Sequence, residues 1–173
     1  MAGVLPPRDP WHATIAEVVP AIVNIVTSTT LRFSTKMPGT GRATGFVVST
    51  EYGLILTNRH VIGEGPTDAY AIFGKGALKC PITPCYIDPV HDFTICKYDV
   101  TDLEGFKVKQ IELKPEFAKV GLEVRVIGND TNQVLSILPG VISRLDRNPM
   151  HWDARRYTSM SLSVRFPNAN YSD

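Results

Sequence analysis

Two residues in this chain have the chemistry of a general base and its partner. His60 follows a short apolar segment at 54–57, and Asp92 precedes another at 93–98. A histidine just beyond the end of a strand lies at the rim of a sheet or barrel, where its imidazole can reach a cleft. A partly buried aspartate can accept a hydrogen bond from the imidazole Nδ1, which fixes the tautomer and lets the ring activate a hydroxyl nucleophile. The spacing alone carries little weight, because a chain of this length contains several such pairs.

Simpler interpretations of the same residues remain open at this point. A histidine at a strand end is often only solvated or hydrogen-bonded, and Asp92 is also a good turn residue. Asp88 is a second candidate for the carboxylate, although its neighbour Pro89 indicates a turn there. His91 is expected to be exposed, and Arg59 to be solvated or ion-paired.

A metal site is the competing chemical hypothesis. Cys80, Cys85, His91 and Cys96 are four residues of the two types that most often bind zinc. Structural zinc sites usually take cysteine pairs two to four residues apart around a tight turn, and these cysteines are farther apart in apolar, strand-like sequence. The spacing therefore favours buried or free thiols, and we expect neither a metal nor an organic cofactor.

The segments that must position these residues have the pattern of short β-strands. Turn signals such as Gly-Asn-Asp at 128–130 separate runs that are rich in β-branched residues, and no long helical period competes with them. Residues 13–19 are expected to form one or two helical turns before the first strand. The predicted strands are 22–27, 44–49, 54–57, 69–73, 78–87, 93–98, 108–113, 122–127 and 133–142. Many short strands at this spacing predict an all-β barrel or sandwich.

Composition narrows the function classes. The chain has 173 residues, 43% of them hydrophobic, and a formal net charge of +1, which suits a folded core and not a nucleic-acid-binding surface. Its longest apolar runs are too short and too polar to span a bilayer. The first residues lack the apolar core of a secretory signal, and three cysteines suit reduced thiols better than disulfides. We therefore expect no nucleic-acid or membrane partner, and a cytosolic or nuclear location.

The sequence around both candidate residues resembles the HtrA/Deg type of trypsin-like serine protease. ATGFVV at 43–48 and TNRHV at 57–61 are similar to the segments around the catalytic histidine of that family, and HDF at 91–93 is similar to the motif of its aspartate. Longer segments, YIDPVHDF at 86–93 and GVISRLDRN at 140–148, look like the fungal nuclear, pro-apoptotic branch. The resemblance covers roughly residues 11–148.

This resemblance implies an all-β, trypsin-like double β-barrel in which His60 and Asp92 are catalytic. The first barrel would be complete and the second incomplete. The expected organisation is a flexible lead-in at 1–12, a first barrel at 13–105, a partial second barrel at 106–148 and a divergent, disordered tail at 149–173.

The serine nucleophile of the family is missing from its expected place. In the family a glycine-rich segment carries that serine and aims backbone N–H groups at the oxyanion. The serines in the corresponding region, Ser159, Ser161, Ser163 and Ser172, have no glycine neighbour. We therefore expect a C-terminally truncated piece of the protease, inactive as it stands.

Two functions follow as expectations. One is a serine endopeptidase domain that acts on unfolded or peptide substrates in protein quality control or apoptosis, in the nucleus and cytoplasm, with its nucleophile supplied in a longer product. The alternative is a non-catalytic interaction module that associates with intact, full-length members of the family.

Overall fold

The computed structural model describes residues 11–30, 38–63, 65–74, 78–130, 134–145 and 164–165. This part of the chain begins with one short helix, α1 (Trp11–Val18), and a 3-10 turn at Val19–Ala21. Ten strands follow: β1 (Ile22–Thr29), β2 (Gly39–Ser49), β3 (Leu54–Thr57), β4 (Asp68–Phe73), β5 (Leu78–Pro81), β6 (Thr83–Ile87), β7 (Thr94–Lys97), β8 (Glu123–Asp130), β9 (Val134–Ile142) and β10 (Val164–Arg165). Two more 3-10 helices lie at Val100–Leu103 and Pro115–Phe117. The all-β prediction is confirmed.

Seven strands form one antiparallel sheet in the order β5-β4-β1-β2-β3-β7-β6. Its two outermost strands, β5 and β6, are separated in the chain by Ile82 alone. A nearly continuous segment therefore pairs with β4 through its first half and with β7 through its second half. The sheet must curl until its two ends meet at Ile82, which makes it a barrel. The amide of Ile82 still bonds to the carbonyl of Ala69 in β4, at 3.0 Å.

The interior of this barrel is a close-packed apolar core. Val23 and Ile25 of β1, Val47 of β2, Ile55 of β3 and Phe73 of β4 are almost completely buried. The residues alternate along β1 because successive side chains of a strand point to opposite faces. Each such side chain contributes about 1.5–3 kcal/mol by burial. The core fixes the strand ends, and with them the loops that carry the candidate site.

Strands β8, β9 and β10 form a second, smaller sheet. β8 pairs with β9 along eight residues of β8, from Glu123 opposite Val141 to Asp130 opposite Val134. β10 adds Val164 opposite Ile142 and Arg165 opposite Val141. These two β10 residues fall in the segment 149–173 that was predicted to be disordered, and the rest of that segment lies outside the described residues. The predicted domain boundaries stay predictions.

The predicted strand at 108–113 is wrong. This segment is extended but forms no ladder; it contacts β2 through one backbone bond, from the Ile111 amide to the Val47 carbonyl at 2.8 Å. β1 pairs with β2 only up to Ile22 opposite Phe46, so the edge beyond Phe46 is open for a short contact. The alternating apolar residues at 108–113 therefore belong to a connector, an extended segment that crosses the end of β2.

The N-terminal helix contacts the second sheet and the connector. α1 begins at Trp11, two residues before the predicted start, and the indole of Trp11 lies 4.3 Å from the guanidinium carbon of Arg125 in β8. Lys109 of the connector approaches Glu17 of α1 at 3.7 Å. Most of the predicted lead-in at 1–12 lies outside the described residues. Within the described ranges, no helix has the length and apolar character needed to cross a membrane.

Candidate active site

The structure brings His60 and Asp92 together at one end of the first barrel. His60 lies in the turn that follows β3, and Asp92 lies in the turn that precedes β7. β3 and β7 are adjacent and antiparallel, with Thr57 opposite Thr94, so the end of one strand meets the start of the other. The imidazole Nδ1 lies 2.7 Å from Asp92 Oδ2. The His60 side chain is 56% exposed and that of Asp92 14%.

This geometry determines the tautomer of the neutral imidazole. An ionised carboxylate can only accept hydrogen bonds. The Nδ1 of His60 must therefore carry a hydrogen and donate it in the hydrogen bond to Asp92. The lone pair of the neutral ring is then on Nε2, which is the atom that a general base needs. Because His60 is more than half exposed, its ring can receive a proton from a substrate or a nucleophile. The pair is therefore chemically competent as a base and its orienting carboxylate.

Asp92 is held by three further contacts from the His60 turn. Its Oδ1 accepts the backbone amide of His60 at 3.0 Å. The side-chain amide of Asn58 donates to Asp92 Oδ2 at 3.3 Å and to the Asp92 carbonyl at 3.1 Å. The sequence predicted no role for Asn58, which stood out only as a member of the TNRHV motif. Its position directly after the last residue of β3 was the one available signal.

The neighbouring Asp88 is a turn residue, as the sequence predicted. Its buried carboxylate accepts the amides of Val90 (2.9 Å) and His91, and the Tyr86 hydroxyl at 2.9 Å. These donors, above all the His91 amide, lower the pKa of Asp88 to about 2. His91 is half exposed and its Nδ1 lies 3.2 Å from Asp88. Asp88 thus shapes the loop that presents Asp92.

Arg59 has a partner that the sequence did not reveal. Its guanidinium Nη1 donates to the backbone carbonyl of Asp88 at 2.8 Å. The expectation of a solvated or ion-paired side chain therefore missed a contact between two loops. No sequence pattern marks a bond from an arginine to a carbonyl 29 residues away.

A cleft of about 360 Å³ lies beside His60. Its wall includes Thr27 and Thr29 of β1, residues 39–43 of β2, and Val61. In the described chain the ladder between β2 and β3 begins at Phe46, so residues 39–43 pair through one edge only. The cleft combines a candidate base with an open strand edge, which can accept an extended peptide.

The fold gives the cysteines of the competing metal hypothesis different environments. Cys80 and Cys96 are buried in the barrel core, whereas Cys85 is exposed and its thiol contacts the Ile95 carbonyl. Burial raises the pKa of Cys96 to about 12, and burial together with Asp102 raises the pKa of Cys80. Core thiols in this protonated state are poor metal ligands. Among the residues that the structure describes, no three His, Cys, Asp or Glu side chains are grouped to hold a metal.

No serine in the sequence is next to a glycine. Ser159, Ser161, Ser163 and Ser172, which occupy the region where a nucleophile was expected, lie outside the described residues.

Comparison with known families gives the site its context. The sequence model of the trypsin-like peptidase domain matches residues 43–167, a range that holds both His60 and Asp92. The chain belongs to the trypsin-like peptidase family. The match extends past residue 148, where the resemblance seen motif by motif ended.

The chain is similar to curated fungal proteins. It is 46% identical over 151 residues to the pro-apoptotic serine protease NMA111 of Vanderwaltozyma polyspora, and 51% identical over 138 residues to the protein of that name from Aspergillus niger. These alignments cover 87% and 80% of the chain, which spans only 15% and 13% of the length of the two relatives. The predicted resemblance to the HtrA/Deg type and its fungal branch is confirmed.

Solved structures support the same fold. An HtrA-type protease, AlgW with a tripeptide, superposes with a TM-score of 0.66 at 19% identity, covering 83% of this peptidase chain and 43% of that protein. Its S227A variant with a tripeptide gives a TM-score of 0.63 at 20% identity. The trypsin-like fold predicted from the sequence is therefore confirmed.

Proposed function

We propose that this chain is part of a serine endopeptidase of the HtrA type, in which His60 is the general base and Asp92 orients it. One observation carries the proposal: the 2.7 Å contact between His60 Nδ1 and Asp92 Oδ2 beside an open cleft. In such a mechanism Nε2 takes the proton of a serine hydroxyl as its oxygen attacks the scissile carbonyl, and later gives that proton to the leaving amine. Asp92 stabilises the imidazolium that forms between these steps.

The nucleophile and the oxyanion donors are proposed to come from sequence that this chain does not include. The support is chemical, because a serine without a glycine neighbour lacks the tight turn that exposes its Oγ and aims backbone amides at the oxyanion. Loss of the triad nucleophile costs about 10⁶-fold in turnover. We therefore propose that the 173-residue chain does not cleave proteins by itself.

Activity-based labelling tests both parts of this proposal. The purified chain is treated with a fluorophosphonate serine probe and assayed for casein cleavage, beside His60→Ala. We expect no labelling of the folded chain. Labelling that disappears in His60→Ala would show that a serine of this chain is activated, and the proposed inactivity would be wrong.

A chimera tests the roles of the two residues. In the chimera, residues 11–145 of this chain replace the matching region of the Aspergillus niger relative, and all other residues come from that relative. We expect labelling and cleavage by the chimera, loss of both in His60→Ala, and a fall of about 10⁴-fold in kcat in Asp92→Asn. An Asp92→Asn chimera with unchanged kcat would remove Asp92 from the mechanism.

The second candidate is a non-catalytic interaction module that associates with full-length relatives. Val126 of β8 and Leu138 of β9 are cross-strand partners, and they are 39% and 41% exposed. Leu113 of the connector, and Phe117 and Val120 after it, are also exposed. Adjacent apolar side chains left in water favour burial against another protein.

Co-purification with a tagged full-length relative tests this candidate. We expect capture by wild type and a weaker yield with the double variant Val126→Asp, Leu138→Asp. Equal yields for both would exclude this surface as the contact. Unfolded or peptide substrates, a role in protein quality control or apoptosis, and a nuclear and cytoplasmic location are part of the same proposal and stay predictions of the resemblance.

A further inference from the structure

Three consecutive residues of the His60 turn donate hydrogen bonds to a single loop, residues 88–92. The Asn58 amide reaches Asp92, the Arg59 guanidinium reaches the Asp88 carbonyl, and the His60 backbone amide reaches Asp92 Oδ1. The base and its carboxylate therefore lie on two loops that are joined at both ends of the 88–92 segment.

The Asn58 contact acts on the atom that matters for the imidazole. Asp92 Oδ2 accepts both His60 Nδ1, at 2.7 Å, and Asn58 Nδ2, at 3.3 Å. The same Asn58 nitrogen lies 3.1 Å from the Asp92 backbone carbonyl. Because the Asn58 amide bonds both the carboxylate and the backbone carbonyl of Asp92, it restricts rotation of the Asp92 side chain. Asn58 thus favours the carboxylate plane that points Oδ2 at the ring.

Arg59 supplies the second attachment, at the start of the loop. Its bond to the Asp88 carbonyl is 2.8 Å long. The Asp88 side chain in turn accepts the amides of Val90 and His91, so the backbone between Asp88 and Asp92 has little freedom. The two attachments together hold the loop against the His60 turn.

We infer that Asn58 is a positioning residue of the His60–Asp92 pair, assisted by Arg59 at the other end of the loop. This inference rests on the proposed function of that pair. Asn58 acts through Asp92: by holding Oδ2 toward the ring, it maintains the tautomer with the proton on Nδ1 and leaves Nε2 free to accept one. Without it, the carboxylate turns to other partners and the ring reverts toward the Nε2–H tautomer.

The tautomer is measurable without protease activity. The ¹⁵N chemical shifts of the imidazole nitrogens are recorded on the folded 173-residue chain at about pH 9, where imidazole is ordinarily neutral. We expect the Nδ1–H form of His60 to dominate in wild type. In Asn58→Ala we expect the ratio of Nδ1–H to Nε2–H to fall roughly fivefold, the size of one ordinary hydrogen bond. His12 in α1 is the internal reference.

A matched variant separates positioning from a general loss of stability. Gln110 carries a carboxamide whose oxygen accepts the Thr50 amide at 3.0 Å and the Thr50 hydroxyl at 3.1 Å. Gln110→Ala therefore also removes side-chain amide bonds between two segments, but at the β2–β3 turn and away from His60. We expect the His60 tautomer to be unchanged in Gln110→Ala.

Each outcome decides the inference. If Asn58→Ala does not fold, Asn58→Leu replaces it, since that side chain has a similar shape, carries no charge and has no donor toward Asp92. A His60 tautomer ratio equal to wild type in a folded Asn58 variant would overturn the inference and leave the base–carboxylate pair intact. A wild-type His60 in the Nε2–H form would overturn the pair itself, and the inference with it.

Discussion

The two sheets of this protein differ in how they bury their apolar side chains. In the first barrel, β1 to β5 and β7 each carry buried residues, and Phe73, Ile25 and Ile55 are almost inaccessible. Among the β8 and β9 residues whose burial the structure describes, only Gly140 and Ile142 are buried. Similar apolar strand sequences thus give a closed core in one region and a half-covered sheet in the other.

Closure explains the difference. The first sheet joins its two outer strands through Ile82, so both of its ends are paired, whereas the described part of the second sheet ends at β8, with an unpaired edge. His60, Asp92, Asn58 and Arg59 all lie in the first barrel. The geometry of the candidate pair therefore depends on the better-packed region.

The largest expected effect is loss of the barrel core. Phe73→Ala removes a ring that is 1% exposed and packs edge-on against Tyr98 at 5.2 Å, so we expect a loss of about 3–5 kcal/mol in the free energy of unfolding. Leu138→Ala in β9, at a side chain 41% exposed, should cost less than about 1 kcal/mol. Urea unfolding followed by circular dichroism measures both, and similar losses would contradict the comparison.

A pair of glycines gives the next largest effect. Gly53 in the barrel (φ +66°) and Gly121 before β8 (φ +89°) both need a positive φ. A Cβ at Gly53 would lie 2.4 Å from the Tyr98 carbonyl oxygen, whereas one at Gly121 would meet nothing within 4 Å. We expect Gly121→Ala to cost about 1–2 kcal/mol from backbone strain alone, and Gly53→Ala roughly 1–3 kcal/mol more. Equal shifts in the urea midpoint would show that the barrel end yields as easily as the second sheet.

The smallest effect is a pH dependence specific to the barrel loop. The folded pKa of Asp88 is lowered to about 2, below the value of about 3.9 for an unfolded chain, so its carboxylate stabilises the fold above about pH 4. That contribution is lost progressively as the pH falls toward 2. The stability difference between wild type and Asp88→Asn should therefore shrink as the pH falls below 4.

Glu123→Gln in β8 is the control for removal of a carboxylate from the second sheet. A wild-type minus Asp88→Asn difference that stays constant down to pH 2 would mean that the Asp88 bonds do not depend on its charge.

Residues 78–87 show what sequence patterning leaves open. The apolar and β-branched content predicted a strand there, and the segment is extended. The structure divides it at Ile82 into β5, which pairs with β4, and β6, which pairs with β7. The β-propensity of a segment predicts an extended backbone, but it does not predict which strand that backbone pairs with. The failed strand at 108–113 has the same cause, since β2 offers it only the short edge beyond Phe46.

The candidate site divides in the same way. The sequence around His60 and Asp92 was specific enough to select both residues, and the structure places them 2.7 Å apart. Asn58 and Arg59 were not selected, because an amide and an arginine have no acid–base role of their own in this chemistry, and their bonds to the 88–92 loop appear only in the fold.

The sequence by itself determined the strand-rich architecture, the family and the candidate base and carboxylate, because those depend on residue types in local order. Tertiary structure alone decided that β5 and β6 close the barrel, that Cys80 and Cys96 are core residues, and that Asn58 bonds Asp92. Each of these is a contact between segments distant in the chain, and such contacts are fixed by how strands pair and pack, not by the residues on either side.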